Sequence, residues 1–317
     1  MKVIDHLRQA KGTLFSFEIL PPLKGRDIRS IYAGIDPLIE FKPNFINVTY
    51  HREEVVYREH GHGLLQKVRV RKRPGTVGIC ATIKAKYDID TVPHLICGGF
   101  SREETEDALI ELNFLGIDNV LALRGDAVKN EAHFIPERDG HAHAVDLIRQ
   151  IADLNRGKYL YEEEQEAAPT DLCIGAACYP EKHPEALNLN VDIAYLKEKV
   201  KAGAEYLVTQ MFFDNAAFFR FVDMCRAQGI DVPIIPGIKP ITTLRHIAFL
   251  PKTFGVDLPD ALADELVRCR TDADVKQVGI EWAVAQCREL RDRGVPGLHF
   301  YTMGRSEAVR AIAGQLF

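Results

Sequence analysis

Short apolar runs recur along the chain at Leu14–Leu20, Phe45–Tyr50, Thr76–Ile83, Asn119–Gly125, Leu172–Pro180, Tyr206–Phe213, Asp231–Ile238 and Gly297–Met303. Each is followed by a longer amphipathic stretch. In several runs, such as Ile79-Cys80-Ala81 and Val120-Leu121-Ala122-Leu123, consecutive rather than alternate positions are apolar. A strand reads this way when both of its faces are covered, as in a parallel sheet. The intervening stretches carry helical spacing. Ser101 and Glu104 form a capping-box pattern ahead of Ala108, Leu109, Leu112 and Leu115. Asp214 is placed to cap a helix that buries Phe218, Phe221, Val222 and Cys225, and Ile280, Ala283, Val284, Cys287 and Leu290 mark another inward stripe. Gly116, Gly203, Gly229 and Gly294 stand where helices would end before the next strand.

Eight strands, each followed by a helix, predict an α/β fold: a single (β/α)₈ TIM barrel spanning residues 1–317. The competing doubly wound sheet would carry G-x-G-x-x-G after its first strand. Here that strand runs into Pro21-Pro22, which cannot donate N–H groups to a phosphate. The nearest imitation, Gly61-His62-Gly63, has Gln66 at its third position and falls in a polar loop.

Charge narrows the function. The 40 Lys and Arg against 45 Asp and Glu leave a net charge of −5. Nucleic acid and anionic membrane surfaces are therefore poor partners, because both select excess cations. No apolar run approaches the ~20 residues that span a bilayer, and no secretory signal opens the chain. The seven cysteines contain no C-x-x-C pair. All this fits a soluble cytoplasmic protein with reduced, buried thiols. Two segments interrupt the pattern: a polar loop over 126–140, and the acidic run Glu162-Glu163-Glu164-Gln165-Glu166, which reads as a solvated excursion.

Active sites of this fold lie at the C-terminal ends of the strands. The polar residues there are Glu18, Thr49, Tyr50, Thr82, Arg124, Asp126, Tyr179, Gln210, Lys239 and Tyr301, with Arg305 just beyond. Glu18 sits inside Phe15-Ser16-Phe17-Glu18-Ile19-Leu20, where burial raises a carboxyl's pKa and suits it to general acid work; the plainer alternative is a structural pair with Arg or Lys across the barrel. Leu123-Arg124-Gly125-Asp126 places a cation, a flexible turn and an anion at one strand end, either beside a bound ring or as a surface ion pair. Two prolines stiffen the loop from Tyr179 to Glu185, which holds His183. Gln210 precedes Met211-Phe212-Phe213, an amide beside an apolar wall that suits a planar heteroaromatic ligand or simply a core. His60-Gly61-His62 and His141-Ala142-His143 resemble metal half-sites but lack carboxylates at suitable spacing, so no metal is expected.

Taken in order, Ser16-Phe17-Glu18 with Pro21-Pro22, Asn47-Val48-Thr49-Tyr50, Pro93-His94-Leu95, Ala122 to Asp126, Tyr179 to Ala186, Thr209 to Asp214, Ile235-Pro236-Gly237-Ile238 and His299-Phe300-Tyr301-Thr302 resemble the methylenetetrahydrofolate reductase family over nearly the whole chain. The resemblance implies a barrel that binds FAD without a dinucleotide-binding sheet. It implies reduction of 5,10-methylenetetrahydrofolate to 5-methyltetrahydrofolate, with NADH or NADPH as the reductant, by ping-pong hydride transfer through flavin N5. By the same resemblance Glu18 is the general acid and Asp126 the anion beside flavin and pterin. Thr49, Tyr50, His94, Arg124, Gly125, Asp126, His143, Ala144, Tyr179, His183, Asp192, Tyr195 and Lys199 fall where the family contacts FAD. Gln210, His246 and Arg305 fall at substrate-contacting positions.

The chain departs from the bacterial pattern at His51-Arg52, which replaces a Gly-Ala pair, at His143 and Tyr195, at His246 in place of a glutamine, and at Leu250, where an aromatic can close over the substrate. A homo-oligomer is expected, with no residues left after Phe317 for the S-adenosylmethionine-binding regulatory domain of eukaryotic relatives. Two other readings remain: a different flavin barrel oxidoreductase of the proline dehydrogenase kind, and a folate- or flavin-binding subunit without turnover.

Overall fold

The computed structural model describes residues 1–127, 131, 133–161 and 167–317. The elements are α1 (Val3–Gln9), β1 (Leu14–Ile19), α2 (Arg29–Ile35), β2 (Phe45–Val48), β3 (Glu54–Glu59), β4 (Leu65–Val70), α3 (Thr76–Tyr87), β5 (Asp90–Ile96), α4 (Arg102–Phe114) and β6 (Asn119–Leu123). They continue with α5 (Ala144–Leu154), β7 (Cys173–Cys178), α6 (Leu189–Ala202), β8 (Tyr206–Met211), α7 (Asn215–Ala227), β9 (Ile234–Ile238), α8 (Leu244–Phe254), α9 (Asp260–Arg268), α10 (Asp272–Asp292), β10 (Gly297–Tyr301) and α11 (Glu307–Ala313). Eight parallel strands close into a barrel in the order β1-β10-β9-β8-β7-β6-β5-β2, while β3 and β4 form a separate antiparallel hairpin.

Seven of the eight expected strands lie within the apolar runs named above. The eighth does not. Thr76–Ile83 is the start of α3, because Thr76, Ile79, Cys80 and Ile83 repeat at helical spacing and are its buried residues. Thr82 is consequently no strand-end residue, and its hydroxyl donates to the Gly78 carbonyl one turn back. The true strand, β5, reads Asp-Thr-Val-Pro-His-Leu-Ile, and its proline and two ionisable residues disguise it. Pro93 faces Val48 across a parallel ladder. The segment holding Gly61-His62-Gly63 is the turn between β3 and β4, and Glu162–Glu166 lies outside the described residues.

Two apolar layers hold the barrel. Inside, Phe45, Val92, Leu121, Cys173, Tyr206, Val208 and Ile235 fill the bore, and Val3 and Ile4 of α1 plug its N-terminal mouth. Outside, a larger core joins strands to helices, with Leu109 and Leu112 of α4, Phe218 and Phe221 of α7, and Leu290 of α10 among its members. The capping box of Ser101 and Glu104 and the Asp214 cap form as the sequence predicts. Leu115, by contrast, is the exposed C-cap of α4, one residue past the end of the helix. With the N-terminal mouth plugged, the barrel opens at the C-terminal ends of its strands. Among the described residues no helix is long and apolar enough to cross a membrane.

Candidate active site

A cavity of about 1020 Å³ occupies that open end. Its floor is apolar, with Ile96, Leu121, Leu123, Ala177 and Val208, and its rim carries the polar groups. Glu18, Thr49, Tyr50, His94, Arg124, Gly125, Asp126, His143, Ala144, Tyr179, His183, Asp192, Tyr195, Lys199 and Gln210 all line it. Of these, Glu18, Thr49, Tyr50, Arg124, Asp126, Tyr179 and Gln210 come from the strand-end positions and the rest from the family resemblance, and the cavity draws together side chains separated by almost 200 positions in sequence. His246 and Arg305 are not in this lining; they face Lys239 at the adjacent barrel end.

Glu18 projects from β1 and is buried to 7% exposure. Among the described residues no Arg or Lys lies within ion-pair distance of it; its Oε2 stands 3.8 Å from His94 Nε2. Burial raises its pKa to about 8 against the opposing pull of Lys239. Burial pushes His94 the other way, down to about 3, with His51 adding to the effect. The close pair is therefore a neutral acid beside a neutral imidazole at pH 7, and not a salt bridge. Asn47 Nδ2 lies 3.2 Å from His94 Nε2 and donates to it, which leaves the imidazole proton on Nδ1. Glu18 thus makes no direct ion pair with an Arg or Lys among the described residues.

Arg124 reaches away from Asp126. Its guanidinium clamps both carboxylate oxygens of Glu185, at 2.7 Å for the longer contact, and lies 5.2 Å from the Phe134 ring centroid. Asp126 is exposed and makes no hydrogen bond or ion pair among the described residues, so the surface-pair reading of these two fails as well. Between them Gly125 adopts φ +83°, a left-handed conformation, and a Cβ there would meet Ile96 Cδ1 at 3.3 Å. A bound ring can come close to this backbone.

The stiff loop after β7 is tied at several points. The His183 backbone N–H donates to Asp192 Oδ2 at 2.7 Å, and the Tyr179 and His183 rings meet edge to face at 4.8 Å. His183 Nδ1 accepts from the Glu185 N–H, which turns its other ring nitrogen free as a donor. Lys199 of α6 donates to the Ala177 carbonyl at 3.0 Å and keeps further N–H groups for a ligand. Burial lowers its pKa. The segment leading into β3 contributes His51 and Arg52 to the lining, and β3 itself contributes Glu54. Arg52 donates to Glu131 at 2.6 Å, and Arg71 at the hairpin's base donates to the Tyr50 hydroxyl at 3.0 Å.

Some lining groups carried no assigned role in the sequence. His299 of β10 is 1% exposed, bonds Ser16 Oγ at 2.9 Å through Nδ1 and stacks on Phe45. Its signal was the one that exposed Glu18: an ionisable residue inside an apolar strand. Phe254 lines the cavity, whereas Leu250 is buried in the cluster beneath α8 with Met211 and Phe213. Tyr301 runs across Gly237 to donate to the Thr209 carbonyl at 2.5 Å, over a position where any Cβ would meet its ring at 2.6 Å. Of the two histidine pairs, His141 is bonded to Gln150 within the protein, and among the described residues no three His, Cys, Asp or Glu side chains gather as a metal site.

A dinucleotide flavin needs an apolar slot for its ring, donors for its phosphates and acceptors for its sugar hydroxyls. The cavity supplies the first in its floor and the second in Arg124, His183 and Lys199. The hydroxyl of Thr49 is buried at the cavity wall without a hydrogen-bond partner among the described residues, a group in need of a ligand. The residues present fit the group.

The family model described as methylenetetrahydrofolate reductase matches residues 2–316. Methylenetetrahydrofolate reductase 1 of Schizosaccharomyces pombe is 34% identical over all of this chain and 48% of its own length. The chain spans about half the length of such eukaryotic relatives. The 5,10-methylenetetrahydrofolate reductase of Salmonella typhimurium is 31% identical over 98% of this chain and 93% of its own. Among solved structures, a Clostridium thermocellum protein described as binding two copies of 5-methyl-5,6,7,8-tetrahydrofolic acid matches with a TM-score of 0.60 at 13% identity, covering 99% of this chain and 97% of that one. At that identity it supports the barrel alone. The family match over nearly every residue, together with the bacterial relatives matched almost end to end, places this chain in the methylenetetrahydrofolate reductase family.

Proposed function

We propose that this protein reduces 5,10-methylenetetrahydrofolate to 5-methyltetrahydrofolate with NADH or NADPH, using FAD held in the cavity at the open end of the barrel. The observation that carries this reading is Glu18: a carboxyl on the first strand, desolvated to a pKa of about 8, at the wall of a cavity large enough for a flavin and a planar substrate. A protein that only bound folate would gain nothing from an acid kept protonated at such cost.

FAD, when bound, supplies the redox chemistry by taking up a hydride from the nicotinamide and passing it to the folate. The residues that would hold it are Thr49 and Tyr50 on one wall, His94 on the floor side, Arg124, Gly125 and Asp126 after β6, His143 and Ala144 at the start of α5, and Tyr179, His183, Asp192, Tyr195 and Lys199 on the other wall. The protein's own chemistry is acid–base and electrostatic. Glu18 holds a proton on its carboxyl near neutral pH and releases it to a folate nitrogen as the five-membered ring opens to an iminium. Asp126, which makes no direct ion pair among the described residues, favours the positive charge that develops on that iminium. The Gln210 amide accepts the Met211 N–H at 2.9 Å through Oε1, which turns its NH₂ group free as the donor for folate or nicotinamide. Both ligands reach the same opening and occupy it in turn.

The absorbance spectrum of the purified protein tests this reading. A yellow protein bleached anaerobically by NADH or NADPH and reoxidised by methylenetetrahydrofolate is the expected result. Bleaching by proline instead, or a flavin that neither nicotinamide reduces, would refute it.

A further inference from the structure

The barrel end that carries Glu18 holds a second buried charge for which the scheme above has no use. Lys239 immediately follows β9 and is 7% exposed, yet its ammonium makes no hydrogen bond or ion pair among the described residues. Lysine is rarely buried this far unless it is paired. Strand register fixes its place. Glu18 pairs with Tyr301, and Phe300 pairs with Ile238, so Glu18 and Lys239 stand at one level of the barrel on either side of Tyr301. The Tyr301 phenol does not bridge them, because its proton is committed to the Thr209 carbonyl.

The ionisable groups facing Glu18 are His94 from β5, Tyr301 from β10 and Lys239 from the end of β9. Those facing Lys239 are Glu18, Arg305 and His246. Burial pushes His94 down to about 3 and the Tyr301 phenol well above its ordinary value, so both are uncharged near neutrality. Burial lowers Lys239 only to about 8, against the pull of Glu18. Of the groups facing Glu18 among the described residues, Lys239 is the one that carries charge at pH 7.

We propose that Lys239 is a positioning residue for the acid step, a buried cation that acts through Glu18 by compensating the carboxylate left behind when its proton goes to the substrate. The inference rests on the assignment of Glu18 as the acid. In that step the O–H bond of Glu18 breaks, an N–H bond forms on the folate nitrogen as its C–N bond opens, and the negative charge remains on Glu18, a side chain only 7% exposed. A nearby ammonium with no other counterion offsets that charge. Without it Glu18 would still hold its proton but would release it less readily.

The test replaces Lys239 by methionine and by glutamine, which keep the stem and remove the charge, and by arginine, which keeps the charge. Folate-dependent reoxidation of the reduced enzyme is followed by stopped flow across pH 6–10, and reduction by the nicotinamide serves as the folding control. A unit charge two strand spacings away, roughly 10 Å, shifts a carboxyl by about one pH unit at an effective dielectric constant near 20. In K239M and K239Q the alkaline fall of the folate half-reaction therefore moves up by about one pH unit, and its rate at pH 7 drops about three- to tenfold. In K239R the profile stays close to that of the unsubstituted enzyme. The infrared band of the protonated Glu18 carboxyl, titrated in the same variants, reads the shift without turnover. An unmoved midpoint in both neutral variants, with Glu18→Gln inactive toward folate, overturns the lysine's role alone. Full folate turnover in Glu18→Gln overturns the acid assignment and the lysine's role together.

Discussion

Replacing Glu18 by glutamine removes a proton donor and a buried ionisable group at once, and the two effects are separately measurable. The carboxyl is held at about 8, against 4.5 for the ordinary group. At pH 7 the folded protein therefore keeps roughly nine of ten copies protonated, whereas an unfolded chain ionises almost all of them. Folding must take up that proton, which costs about 3 kcal/mol at pH 7 and approaches about 5 kcal/mol above pH 8. The sign follows from the direction of the shift: a carboxyl whose pKa is raised on folding loses stability as pH climbs from 4.5 toward 8. Glutamine has the same shape and no ionisation. The E18Q protein is therefore expected to gain on the unsubstituted enzyme progressively between about pH 5 and 8, by a few kcal/mol in urea unfolding at neutral pH.

The same variant loses the acid. General acid catalysis contributes about 10²- to 10⁴-fold, so folate-dependent reoxidation is expected to slow by that factor while reduction by the nicotinamide proceeds. Anaerobic stopped flow separates the two half-reactions. A stability difference that stays flat from pH 5 to 8 would contradict the buried, protonated carboxyl. Undiminished folate turnover would contradict its role. Stabilisation together with inactivation is the signature of a group retained for function at the expense of the fold.

Three further substitutions probe other parts of the cavity. Asp126→Asn should slow the folate half-reaction at least about tenfold and the nicotinamide half-reaction much less, and equal slowing would contradict the electrostatic role on the iminium. Thr49→Val removes the unpartnered hydroxyl and should weaken FAD retention about three- to tenfold in a fluorescence titration, the worth of one hydrogen bond; unchanged affinity would mean that the hydroxyl does not meet the cofactor. Gly237→Ala places a Cβ against the Thr209 carbonyl and the Tyr301 ring, at 2.3 and 2.6 Å, and should cost about 1–3 kcal/mol in thermal unfolding; an unchanged Tm would show that the Thr209 backbone and the Tyr301 ring both give way freely.

The barrel was legible because seven of its strands are covered on both faces and therefore read as continuous apolar runs. The exception is instructive in physical terms. Strand β5 carries Asp90, Pro93 and His94, and two of these earn their place outside the core: Asp90 meets the N-terminal ammonium at 2.7 Å, and His94 faces Glu18. The apolar density was displaced into α3, whose inward residues at 76, 79, 80 and 83 fit a helix better than a strand. The β3–β4 hairpin escaped for a different reason. It lies outside both apolar layers, and its residues are mostly exposed or half-buried, so burial leaves little hydrophobic pattern to read.

The site divides along the same line. Polar residues at strand ends that line the cavity were readable, since a lone polar group at the end of an apolar run is costly unless it is paired or used. Which of them interact was not readable, because barrel neighbours are remote in sequence. Arg124 and Asp126 are two residues apart, yet the guanidinium chooses Glu185, 61 positions away, and makes no direct ion pair with the aspartate. Glu18 and Lys239 stand at one level of the barrel despite being more than 200 positions apart. If the proposed roles hold, the absence of an Arg124–Asp126 ion pair and the coupling of Lys239 to Glu18 serve one electrostatic end. On the proposed mechanism, an anion free of a direct ion pair would face the substrate where positive charge develops, and a buried cation would stand by the acid where negative charge is left. A barrel with an Arg124–Asp126 pair and a salt-bridged Glu18 would satisfy its charges better, but it would have neither a poised proton nor a field to draw it across.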